Sequence, residues 1–203
     1  MRGLGLAAGA AALAVVFGAG SAGAAVVTVL GTAGPWSTAD NPGFSYSDDG
    51  GQTDATSVAV IGGEHETITY LSGSTTTDGN TANTADANGY CCTLGKGFNG
   101  PGQYANQAPL LMELVGVFTD ANGVIVGNPF VVGDGPTSRA APAGASFLNL
   151  GVNDNEYHDN TGSLSISVVQ AAVPEPGTWA VMLIGMAGMG AALRRGRRAL
   201  ALA

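Results

Sequence analysis

The residues best suited to chemistry lie together in Asn153-Asp154-Asn155-Glu156-Tyr157-His158-Asp159-Asn160, between the apolar run Leu148 to Val152 and an alternating run that opens at Ser163. A strand ending at Val152 and another starting at Ser163 would gather these carboxylates and amides at one sheet edge. Like charges crowded in this way repel, and a hard cation relieves the repulsion; Ca2+ takes roughly six to eight oxygens from carboxylates, amides and backbone carbonyls. The spacing is not that of an EF-hand, which needs a Gly in mid-loop and a distant Glu between two helices. The same residue types also build turns with no metal at all. A bound ion would accept vicinal sugar hydroxyls, while an aromatic such as Tyr157, Trp36 or Tyr70 packs against the ring.

Other reactive residues make weaker constellations. His65 stands between Glu64 and Glu66 in a β-rich run, where its neighbours point to the opposite face, and the HExxH spacing of a zinc protease is missing. His158 adjoins Asp159, but no Ser or Cys nucleophile motif accompanies it. Cys91 and Cys92 are adjacent. Across a trans peptide their Cα atoms are about 3.8 Å apart, below the roughly 4.4 Å at which disulfides begin, so a vicinal bridge would be strained. The expectation is a protein that is not an enzyme, with no catalytic residue.

The elements that must position these groups are β-strands. Of the 203 residues, 26–173 hold fourteen of the fifteen acidic side chains and two of the seven basic ones, Lys96 and Arg139, for a formal charge of −12. That balance excludes a nucleic-acid binder. Short β-rich runs recur at Val26 to Leu30, Thr56 to Ile61, Glu66 to Leu71, Leu110 to Phe118, Val124 to Val126, Phe130 to Val132, Ser146 to Val152 and Ser163 to Val169, separated by Gly, Pro, Asn and Asp. Leu164, Ile166 and Val168 alternate with Ser163, Ser165 and Ser167, the period of a strand with one wetted face. Asp120-Ala121-Asn122-Gly123 reads as a hairpin turn in which Asn and Gly take positive φ. The fold class predicted for 26–172 is all-β, an antiparallel β-sandwich or jelly roll. Residues 72–108, small and polar, read as a long loop.

The two ends have a different logic. Arg2, the apolar run Leu4 to Phe17 and the small residues Ser21 to Ala25 make residues 1–25 a signal peptide, with cleavage after Ala24 or Ala25. Residues 173–203 begin with Pro174-Glu175-Pro176, continue through Trp179 and Ala180 into an uncharged stretch, Thr178 to Leu193, and close with Arg194, Arg195, Arg197 and Arg198. The stretch predicts a single transmembrane helix of about 24 Å, stopped by arginines on the cytoplasmic side of the inner membrane. This ordered combination resembles the PEP-CTERM sorting signal in its PEPxxWA form. The resemblance implies export, transient anchoring in the inner membrane, processing by an exosortase near the PEP motif, and delivery to the cell surface or an extracellular, biofilm-type matrix.

The segment Leu148 to Leu164 is similar to the calcium-dependent galactose-binding lectins of bacteria and related jelly-roll domains. That resemblance implies Ca2+ held by the side chains of Asp154, Asp159 and Asn160, with backbone carbonyls near Tyr157 and Ser74 completing the shell, and extracellular polysaccharide or glycan as partner. The loop here is shorter than in those lectins, and their sugar-contacting His and Gln have no counterpart, so calcium carries over and galactose does not. The residues leave open a structural matrix or adhesion protein without a ligand site, and a polysaccharide-modifying enzyme.

Overall fold

The computed structural model describes residues 23–44, 51–79, 84–90, 109–171 and 180–190. Among them are eight strands: β1 (Gly23–Leu30), β2 (Thr56–Ala59), β3 (His65–Thr76), β4 (Leu114–Thr119), β5 (Phe130–Val131), β6 (Thr137–Ala140), β7 (Phe147–Val152) and β8 (Thr161–Ala171). They form two four-stranded sheets, in the orders β1-β8-β3-β6 and β2-β7-β4-β5. Every strand pair is antiparallel. The pairs β1–β8, β2–β7, β3–β6 and β4–β5 are those of one long hairpin folded at the β4–β5 connection. Rolling that hairpin into two layers adds the pairs β3–β8 and β4–β7, which gives the jelly-roll order. The predicted antiparallel sandwich is therefore the observed one.

Alternation in the sequence becomes the core. Leu164, Ile166 and Val168 of β8 are buried, while Ser163, Ser165 and Ser167 lie half-buried on the other face. Ile68 of β3 and Val29 of β1 join this inner layer, and Leu148, Leu150, Leu114 and Val117 belong to the same core from the second sheet. β4 is buried at all six positions, so its outer face is covered as well. The chain after β1 helps to cover that sheet, with Ala33 accepting the Val152 N–H at 2.9 Å. Gly151 permits the crossing, since a Cβ there would meet Pro35 N at 2.5 Å. Trp36 is 2% exposed and donates its indole N–H to the Phe44 carbonyl.

Several boundaries differ from the sequence reading. β1 begins at Gly23 rather than Val26, because Gly23, Ala24 and Ala25 pair with Gln170, Val169 and Val168; cleavage after Ala24 or Ala25 would cut into this strand. Residues 1–22, the rest of the expected signal segment, lie outside the described residues. The expected loop from residue 72 is shortened, since β3 runs to Thr76 and Thr75 bridges to Ala85, which is buried together with Ala87. Cys91 and Cys92 lie outside the described residues. Leu110 to Glu113 form a turn and not the start of β4, with Met112 at φ 62. Val124 to Val126 contribute a single bridge, Thr119 to Ile125. In that hairpin Gly123 takes positive φ at 81, whereas Asn122 does not. β6 was not expected, because Thr137, Ser138 and Arg139 offer no apolar alternation.

Two outcomes follow from this packing. Ile166→Ala should cost about 2–5 kcal/mol in urea unfolding, and Ser167→Ala should stay within about 0.5. Glu66 is fully buried on the inner face of β3; burial raises its carboxyl above the ordinary 4.5 and Glu64 adds to the shift, while Gln170 and His65 oppose it. A raised acid destabilises the fold fully above its folded value, and the cost disappears as pH falls to 4.5. The melting temperature of the native chain should rise relative to that of Glu66→Gln as pH falls from neutrality towards 4.5.

Candidate functional site

The loop from Asn153 to Asn160 joins β7 to β8 and is held by its own polar groups. Asp154 Oδ1 accepts the N–H groups of Asn155 at 2.7 Å and Glu156 at 3.3 Å. Tyr157 donates its hydroxyl to the Val152 carbonyl at 3.1 Å, and Asn160 N–H bonds the Tyr157 carbonyl at 3.2 Å. The Asn160 amide donates to the Gly31 carbonyl at 2.9 Å and so ties β8 to the end of β1. Gly31 suits this approach, since a Cβ there would lie 2.5 Å from the Thr161 carbonyl oxygen. Asn153 donates to the Pro109 and Leu110 carbonyls and pins the neighbouring turn.

The three expected ligands are brought together. Asp154 is 3% exposed and Asn160 4% exposed. The Asp154 carboxyl is raised above its ordinary 3.8, first by burial and then by the Asp159 charge, against hydrogen bonds from Asn155, Asn160 and Glu156. Four buried oxygens of this region have no hydrogen-bond partner: Asp159 Oδ1, Asn160 Oδ1, Asn153 Oδ1 and Thr75 Oγ1. Thr75 stands opposite Gly162 in the β3–β8 register, and its methyl faces Gly31. A buried polar atom left unpaired costs about 1–3 kcal/mol, and a water, another donor or a cation would each relieve it. Among the described residues no group of three or more His, Cys, Asp or Glu side chains is arranged to hold a metal. An ion here must therefore draw on amide, hydroxyl and backbone oxygens, as calcium does.

The aromatic platform expected beside the ion is not there. Tyr157 is fully buried and Trp36 nearly so, because both fill the core. Tyr70 is half-buried and spends its hydroxyl on the Gly73 carbonyl at 2.7 Å. His65 and His158 are exposed. Sequence reasoning missed Glu66, whose Oε1 accepts from Gln170 at 2.9 Å while Oε2 has no partner; its place in an alternating run with Ile68 was the available signal. It also missed Asn41, a buried amide that bonds Ser37, Gly123 and Ile125 and joins two loops.

Residues 180–190 are helical and exposed. Pro174, Glu175, Pro176, Trp179, Arg194, Arg195, Arg197 and Arg198 lie outside the described residues. Among the described residues no helix is long and apolar enough to cross a membrane. Residues 172–198 match the PEP-CTERM protein-sorting motif. The chain thus carries the sorting signal that its Pro-Glu-Pro, Trp-Ala and arginine pattern predicted. No curated protein and no solved structure matches the chain, so the likeness to lectins draws no support from similarity.

Asn160→Ala removes the donor to Gly31 and should lower stability by about 1–3 kcal/mol, measured by urea unfolding. Asn155→Ala, which keeps the backbone N–H to Asp154, should change it by less than about 0.5 kcal/mol.

Proposed function

We propose that this is a non-enzymatic exported protein, recognised by an exosortase through its tail and delivered to the cell surface or extracellular matrix. The observation that carries this reading is the sorting motif at residues 172–198. The topology suits it. Gly23 and Gln170 are paired, so the chain enters and leaves the sandwich side by side at one pole. The Asn153–Asn160 loop lies at the other end of β8, eleven residues or about 35 Å away.

The same reading gives the loop a calcium ion, held by Asp159 and Asn160 with Asp154 beside them, and through the ion the vicinal hydroxyls of a sugar. The unpartnered oxygens support it. With Tyr157 and Trp36 in the core, sugar contact rests on the ion rather than on stacking, and the affinity of one site is weak. Copies displayed together offset that weakness through avidity.

Replacing Pro174, Glu175 and Pro176 by alanine should leave unprocessed chain in the inner membrane, read by fractionation and intact mass; unchanged release would defeat the sorting reading. Calorimetry of the full chain with Ca2+ should show binding heat, and a concentration one hundred times Kd should add about 2.7 kcal/mol of stability. Asp159→Asn should abolish both, and absence of heat in the native chain would remove the ion.

A further inference from the structure

The outer face of the β1-β8-β3-β6 sheet carries no Asp, Glu, Lys or Arg in a domain otherwise dominated by carboxylates, and His65 stands only at its end, opposite Ala171. Its rows follow from the register. Ser165 stands between Thr28 and Ser72, Ser167 between Val26 and Thr69, and Ser163 between Leu30 and Ser74. None of these side chains can ionise at neutral pH. The rows repeat at about 6.7 Å along the strands and the hydroxyls at about 4.8 Å across them. The face is open, with Val26 67% and Leu30 47% exposed and Thr28, Ser72 and Ser74 also exposed.

We propose that this face binds an uncharged, hydroxyl-rich polysaccharide chain lying flat on the sheet. Charge selects the occupant. The segment 26–173 carries −12, so an acidic polymer is repelled, and so is a second copy of the same domain. A cationic polymer finds its carboxylates elsewhere on the surface. An apolar partner would strip water from the Ser and Thr hydroxyls and give nothing back. Sugar hydroxyls both donate and accept, as Ser and Thr do, so they pair in many registers without a fixed polarity. Val26 and Leu30 offer apolar ground to the C–H faces of the rings. Each contact is small, and a polymer spanning several rows gains what a monosaccharide cannot. The face needs no ion, and its central rows are several residues from the Asn153–Asn160 loop.

The test is retention of the full chain, in a polyoxyethylene detergent with chelator present, on particles of amylose or cellulose, with alginate as the acidic control. The native chain should be retained on a neutral glucan and not on alginate. Thr28→Arg and Ser165→Arg should each lower affinity by about tenfold, because a charge then lacks a partner in the contact. Asn128→Ala, an exposed loop change outside both sites, should be retained like the native chain. Thr28 is at an exposed edge position, so its variant keeps the test valid if Ser165→Arg unfolds. Failure of the native chain to bind any neutral glucan overturns the proposal, and so does full retention of Thr28→Arg. Sedimentation showing a dimer that Thr28→Arg dissociates would assign the face to a second copy instead. Calcium heat is read separately in the native chain, so loss of either site leaves the other visible.

Discussion

β8 lies between β1 and β3, and its buried row Leu164, Ile166 and Val168 is the surface on which the second sheet packs. All eleven of its residues pair with β3, across one register shift between Tyr70 and Ser72, and eight pair with β1, and the remaining geometry is hung on it. Because β1 pairs along it from Gly23 to Leu30, entry and exit of the chain coincide at one pole. Because β7 reaches it through the Asn153–Asn160 loop, the oxygen-rich residues are confined to the other. Because its outward residues are serine, the face it shares with β1 and β3 stays neutral. A core substitution in β8 is therefore felt at both poles and on the outer face at once.

Buried polar groups separate two kinds of device in this fold. Asn41 is fully served by three backbone partners and works as a structural rivet between two loops. Asn153 and Asn160 each donate to backbone carbonyls but leave Oδ1 unserved, and Asp159 and Thr75 add further acceptors. The donors fix where these side chains stand and leave the oxygens without a hydrogen-bond partner. Glu66 is a third case, a buried carboxyl with one oxygen held by Gln170 near the end of the strand that leads to the sorting motif. Burial raises its carboxyl above the ordinary 4.5, so the cost of keeping it in the fold falls on protonation.

Charge is distributed by element. Loops carry Asp40, Asp86, Asp120, Asp154 and Asp159, many of them capping nearby N–H groups, as Asp120 does for Asn122 and Val124. The hydroxyl-bearing sheet face carries no carboxylate, Lys or Arg. The surface carboxylates thus gather in the loops and leave a broad sheet face without them.

Local periodicity made much of this legible. The sorting tail is a linear motif, and the Ser-Leu-Ser-Ile-Ser-Val alternation of β8 states which face is buried, because successive side chains in a strand point to opposite sides. The gathering of Asp154, Asp159 and Asn160 in one short loop was also local, and so was its place between two strands. What the linear order left open was everything that depends on partners distant in the chain. Ala24 and Ala25 belong to a strand only because Val169 and Val168 lie beside them, and Thr137 to Ala140 become β6 only against β3. Trp36 and Tyr157 are core rather than platform because the sheets need their volume. The neutral face exists only once Thr28, Ser165 and Ser72, far apart in sequence, are set in one row. A side chain's period is written in its own strand, but its neighbours are chosen by which strands pair, and that choice is made by the core as a whole.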